Sequence, residues 1–107
     1  MKVAEDLTEL LERLESTEEK AGVELSSLSA ILDDDTLKVC GEAIFSKPPK
    51  TDYDIEVNVV IYDSKSRVIE KLSANVGNKN TPFDAFSISC YGMNNEISKI
   101  RVYVSRD

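Results

Sequence analysis

The feature that most constrains the fold is a regular alternation of side-chain character in the middle of the chain. Apolar or small residues occupy every second position from Leu37 to Phe45 and again from Tyr53 to Ile61, with mostly polar side chains between them. Successive side chains of a β-strand point to opposite faces, so this two-residue period predicts strands with one buried face. No repeated helical pattern separates these strands, and a parallel α/β fold is therefore not expected.

Three later segments have the same period and predict further strands: 68–72, 83–91 and 97–105. Turn-forming residues or prolines fill the connections: Asp33–Thr36, Pro48-Pro49, Asp63–Ser66, 77–82 and 92–95. Residues 23–32 fit either a helix or a strand. Five or six strands with short connections predict a mainly β fold, an antiparallel two-sheet immunoglobulin-like sandwich, with a small barrel as the alternative.

The first 22 residues have a different pattern and predict an N-terminal amphipathic helix. Apolar side chains recur at helical spacing, glutamates occupy the opposite face, and Gly22 stands where a left-handed C-cap is expected. We therefore divide the chain into an acidic helix, 1–22, and a β-sandwich domain, 23–107. The residues that form the apolar stripe are Val3, Leu7, Leu10 and Leu14.

The spacing of this stripe, 4-3-4, is the rhythm of a coiled coil, but it lasts only about two heptads. One interpretation is a helix that self-associates or docks on a partner through Leu7, Leu10 and Leu14. The alternative is a helix packed on its own domain or a frayed terminal appendage. A short isolated helix with like-charge pairs such as Glu5/Glu9 is marginal, so the stripe needs cover in either case.

Three stretches together resemble a family of small bacterial immunoglobulin-like sandwiches, the FxLYD-type domains: LKVCGEAIF, IEVNVVIYDSKSRVIEK and FDAFSISCYG with ISKIRVYV. The residues that match the family pattern are Gly41, Tyr62, Asp63, Arg67, Val68, Phe86 and Ile88. The chain departs from the pattern at 77–82, which lacks the usual L-x-P-G loop. The resemblance covers about 36–105 and implies an accessory or binding sandwich without catalytic residues. Asp63 itself is expected to cap the reversal that follows it, by bonding the N–H of Lys65 or Ser66.

Charge is distributed unevenly and bears on the partners. The net charge is −7, and residues 1–35 carry 11 acidic and 3 basic side chains. Nucleic acids and anionic membrane surfaces need clustered Lys and Arg, so neither is an expected partner. No apolar run is long enough for a membrane span, and the first 20 residues do not resemble a signal peptide. The cytoplasm is the expected compartment.

Neither catalysis nor a cofactor is expected. The chain has no histidine, no Gly-x-Ser-x-Gly elbow and no phosphate-binding glycine loop. Cys40 falls on the polar parity of its strand and Cys90 on the apolar parity, so a disulfide between them is not expected. Clustered aspartates at 33–35, with Asp52 and Asp54, leave open a calcium site at a loop end.

Apolar residues on the polar parity point instead to a surface that needs cover. Val60 and Tyr62 lie on the outer face of the long central strand, and Ile44, Ile69 and Tyr103 also fall on outer faces. We therefore expect a non-catalytic protein-interaction module. Its partner would be another protein or a second copy, bound through the N-terminal helix or an outer sheet face. The alternative is a sandwich that binds Ca²⁺ or a small polar molecule at a loop end.

Overall fold

The computed structural model of the chain describes residues 4–47, 54–77, 80–93 and 97–106. Its elements, in chain order, are β1 (Glu5–Asp6), a 3₁₀ turn (Thr8–Leu10), β2 (Leu11–Arg13), α1 (Glu15–Ala21), β3 (Val23–Asp33), β4 (Thr36–Phe45), β5 (Ile55–Asp63), β6 (Val68–Val76), β7 (Phe83–Cys90) and β8 (Ile97–Arg106). The fold is therefore mainly β, as predicted. Tyr53, the Pro48-Pro49 break and parts of the predicted loops at 77–82 and 92–95 lie outside the described residues.

The strands form two four-stranded sheets. Sheet I has the order β1-β3-β4-β7 and sheet II the order β2-β8-β5-β6. The ladders of sheet I are antiparallel throughout, and so are β5–β6 and β5–β8. The expectation of purely antiparallel sheets is wrong at one ladder, because β2 runs parallel to β8.

One hydrophobic core lies between the sheets. Inward side chains from both sheets belong to a single buried cluster, and the following are almost fully inaccessible: Leu25, Leu37, Val39, Ile55, Val57, Val59, Ile61, Ile100 and Val102. These residues occupy alternate positions of their strands, as the sequence period requires. The ambiguous segment 23–32 belongs to this arrangement as a strand, β3, which is interrupted by a bulge between Ser26 and Ser29.

The predicted helix over residues 1–22 is wrong for most of its length. The helix spans Glu15–Ala21 only, and it ends at Gly22, whose φ of 69° is the predicted left-handed cap. Residues 4–14, which precede it in the described chain, contain two short strands and the 3₁₀ turn between them: β1 pairs with β3, and β2 pairs with β8. Leucine spacing of three and four residues fits a helix, but sheet ladders and burial against the core override so weak a propensity.

This N-terminal segment closes one side of the two-sheet body. It leaves sheet I after β1, turns at Thr8–Leu10 and enters sheet II as β2. The Leu7 N–H donates to the carbonyl of Ala30 at 2.7 Å, and the Leu14 N–H donates to that of Val102 at 3.1 Å. On the opposite side, β6 and β7 are in contact but belong to different sheets. Each of these two long strands is therefore the edge of its sheet.

Candidate interaction surface

The three leucines of the predicted docking stripe do not form a seam. Leu7 immediately precedes the 3₁₀ turn and Leu10 is its last residue, whereas Leu14 immediately precedes α1. Leu7 and Leu10 pack against the protein's own core, and Leu14 is half-buried. The coiled-coil interpretation is therefore wrong, because the helix it requires does not form across these residues.

Val60 was expected on an exposed face, and that expectation is wrong. Val60 is 9% exposed, although its side chain lies on the outer face of sheet II. Its register partners are Lys71 on β6 and Arg101 on β8. Long basic side chains cover apolar neighbours with their aliphatic stems while their charged ends stay in water. Val60 is therefore covered within the chain and does not offer a free contact.

Tyr62 is half-buried and lies within a group of charged side chains. The Lys99 ammonium and the Arg101 guanidinium each lie 5.4 Å from the centre of its ring. The guanidinium also donates to the Tyr62 hydroxyl at 3.3 Å and pairs with Glu12 at 3.0 Å. The cations at this ring are thus already held by groups of the same chain, and the cluster ties β2, β5 and β8 together.

A second charged group lies where α1 meets β3. The Glu18 carboxylate is almost fully buried; it accepts hydrogen bonds from the Arg13 guanidinium and, at 2.9 Å, from the Leu25 N–H. The ion pair raises the pKa of Arg13. A polar groove beside it is lined by Arg13, Glu15, Glu18, Glu19, Gly22, Val23, Glu24 and Ser46. Within the described ranges no three Asp, Glu, Cys or His side chains are placed to hold a metal ion.

The cysteines are both free and lie on opposite faces, as their parity predicted. Cys40 is half-buried on the outer face, with its Sγ 3.5 Å from the Ser87 hydroxyl. Cys90 is buried in the core. Burial, together with the nearby negative charge of Glu70, raises the pKa of the Cys90 thiol.

Three of the four most exposed large apolar side chains in the described structure lie on or beside β4 and β7 of sheet I; the fourth, Val68, begins β6 and is 58% exposed. Ile44 and Phe83 are register partners on β4 and β7, 39% and 49% exposed. Tyr91, directly after β7, is 76% exposed. Phe83 and Tyr91 thus lie at the two ends of β7, roughly 26 Å apart by the rise of an extended strand. Two small apolar sites therefore flank one edge strand.

Between these sites, every second residue of β7 directs its backbone N–H and C=O groups to the free edge of the sheet. The Phe45 N–H donates to the Pro82 carbonyl at 2.9 Å, which marks residues 45 and 82 as a hydrogen-bonded pair. In an antiparallel ladder such pairs recur at every second residue. The N–H and C=O groups of Phe83, Ala85, Ser87 and Ser89 consequently point away from β4. In the described part of the chain, no strand pairs with β7 on that side.

This edge is uncharged on its outer face. Asp84 is the only charged residue of β7; it is half-buried, and its carboxylate accepts from the Gly77 N–H at 3.1 Å. We define the β7 surface as the free edge of β7 together with the outward side chains of Ile44, Phe83, Ala85, Ser87, Ser89 and Tyr91. The sequence prediction had included Ile44 but missed the rest. The available signal was the run FDAFSISCY, nine residues with a single charge.

Comparison with protein-family models, with curated proteins and with solved structures finds no significant match for this chain. The resemblance to FxLYD-type domains therefore stays a prediction. Among the described residues, no helix has the length and apolar character needed to cross a membrane.

Proposed function

We propose that this chain is a non-catalytic protein-interaction module, an immunoglobulin-like sandwich that binds a protein partner through the β7 surface. The observation that carries the proposal is the long, uncharged edge of β7 with an exposed aromatic residue at each end. Unpaired N–H and C=O groups along an edge form a template for another strand. The resemblance to FxLYD-type accessory domains points to the same class of function.

The other three edge strands are protected against the addition of a further strand. β1 and β2 have two and three residues, too few to offer a ladder. β6 is long, but it presents Glu70 and Lys71, both exposed, and such charges oppose strand addition. Only β7, of the four edges in the described structure, combines length with an absence of exposed charge.

No observation favours the alternative of a calcium or small-molecule site at a loop end. A cytoplasmic location is part of the proposal, because two free thiols suit a reducing compartment. The proposal includes neither a cofactor nor a nucleic-acid or membrane partner.

Site-specific photocrosslinking tests this function in the cells that make the protein. A photoreactive amino acid replaces Ser87 on the β7 edge in one strain and Ser73 on the β6 edge in another; both serines are exposed. We expect covalent protein adducts from position 87 and none from position 73. Adducts that are absent from position 87, or equal at both positions, would overturn the proposal.

A further inference from the structure

We infer that the partner of the β7 surface is a second copy of this chain, paired antiparallel β7 to β7 about a two-fold axis at Ser87. This inference rests on the proposed function and adds to it the partner and the register. Two-fold pairing joins the two copies of sheet I into one continuous sheet. Three independent features of β7 favour this register: its backbone, its apolar ends and the charges beside it.

The backbone allows only certain registers. Residues whose N–H and C=O groups face the edge must oppose each other in the new ladder, and in β7 these are the odd-numbered residues from 83 to 89. Centring on Ser87 places Ser87 opposite Ser87 of the second copy, and Ala85 opposite its Ser89. The Thr81 hydroxyl already donates to the Phe83 carbonyl at 2.8 Å, and the central ladder at residues 85–89 does not need that carbonyl.

The same register brings the exposed aromatic residues together. Phe83 and Tyr91 are equally distant from Ser87 in sequence, so each lies opposite the other residue of the second copy. Ile44 lies beside Phe83 in the same row of the sheet. Apolar groups that are some 26 Å apart within one copy thus form two compact clusters across the interface.

Charges on the neighbouring strand are complementary in this register. On β4, Glu42 is the partner of Ala85 and Lys38 the partner of Ser89. Pairing Ala85 with Ser89 of the second copy therefore puts Glu42 and the second copy's Lys38 in one row, with only two small side chains between them. The row spans three strand spacings, about 14 Å, which the two extended side chains largely cover. Neither charge has an ion-pair partner among the described residues.

Sedimentation equilibrium on the full chain tests the partner. We expect twice the monomer mass for the unchanged protein and the monomer mass for Ser87→Lys, which sets like charges face to face on the axis. The control Ser73→Lys, on the edge of the other sheet, stays dimeric. Glu42→Lys and Lys38→Glu each weaken the dimer at least tenfold, and the double variant restores it. The restoration excludes misfolding as the cause.

Disulfide trapping tests the register, in a Cys40→Ser background because Cys40 lies beside Ser87. We expect Ser87→Cys to cross-link to itself under mild oxidation. Ala85→Cys does not cross-link alone but does so when mixed with Ser89→Cys. Opposed residues in a ladder are about 5.5 Å apart between Cα atoms, within the range of a disulfide.

Failure of this inference can be told apart from failure of the proposed function. A monomeric unchanged protein, or Ala85→Cys cross-linking as well as Ser87→Cys, overturns the two-fold pairing. If position 87 still yields adducts with a different protein in cells, the β7 surface is an interaction site for another partner. If position 87 yields none, the proposed function falls as well.

Discussion

Gly41 on β4 and Phe86 on β7 are register partners, and the Phe86 ring occupies the space that a side chain at position 41 would need. A Cβ atom on Gly41 would lie 2.9 Å from Cζ of Phe86 and 2.7 Å from Cδ2 of Leu28. Carbon atoms normally pack at about 3.5–4.0 Å, so neither neighbour leaves room. The bulge in β3 brings Leu28 to this point, and glycine lets the two side chains meet over the strand.

We therefore expect Gly41→Ala to lower the free energy of unfolding by about 1–3 kcal/mol, the usual cost of overpacking a core. Urea denaturation measures it. In a Leu28→Ala background the same change should cost less, because the nearer of the two neighbours is gone. Equal costs in the two backgrounds would contradict this explanation.

The buried carboxylate of Glu18 contributes to the free energy of unfolding through its two partners. Glu18→Ala removes the partner of Arg13 and leaves the Leu25 N–H buried without an acceptor. We expect a loss of about 2–4 kcal/mol, measured by urea denaturation. Glu18→Gln retains an oxygen for Leu25 and should lose less. The control Glu19→Ala, next to it and exposed, should change the stability by no more than about 0.5 kcal/mol.

Asp63 links stability to pH. Its carboxylate accepts hydrogen bonds from the backbone N–H groups of Arg67 and Lys65, both at 2.9 Å, and from Nε of Arg67 at 3.0 Å. The Arg67 and Lys65 bonds and the guanidinium charge lower the pKa of Asp63. A lowered pKa in the folded state gives stability above the unfolded value of about 3.9, and this stability is lost as the pH falls through the folded pKa.

We therefore expect Asp63→Asn to lower Tm at pH 7 and to have little effect once the pH is below the lowered pKa of the folded state. Thermal melts followed by circular dichroism between pH 7 and pH 2 measure the difference. Ser64→Ala, in the same turn but without a carboxylate, should follow the pH dependence of the unchanged protein. A Tm difference for Asp63→Asn that is constant with pH would contradict the linkage.

The two cysteines should differ in reactivity. Cys40 is half-buried near the surface, whereas Cys90 is buried and has a raised pKa. Because the thiolate is the reactive form, we expect Ellman's reagent at pH 8 to modify Cys40 quickly and Cys90 slowly. Cys40→Ser should remove the fast phase, and urea should merge the two phases. A fast phase that persists in Cys40→Ser would contradict this assignment.

Much of the fold follows from local sequence pattern. The two-residue period in 37–45, 55–61, 83–90 and 97–105 corresponds to β4, β5, β7 and β8. Asp63 bonds the Lys65 N–H as expected, and Gly22 caps α1. These features can be predicted from the sequence because each depends on residues that are close together in the chain.

The remaining features depend on residues distant in sequence. The N-terminal leucines pack on strands 20 to 90 residues away, so their helical spacing gave no warning of extended structure. Val60 is buried between its register partners Lys71 and Arg101, which only strand order places beside it. The β7 surface was missed for the same reason: a strand becomes an edge through the order of the whole sheet.

The position of β8 has a consequence for synthesis on the ribosome. β8 is the last strand of the described chain, yet it lies between β2 and β5 in sheet II. All four strands of sheet I precede it in the chain, so every ladder of that sheet can form without it. The β5–β6 hairpin, by contrast, stays without its central neighbour until β8 has left the exit tunnel. A chain that ends before Ile97 therefore leaves the core-facing side of this hairpin open to chaperones and proteases.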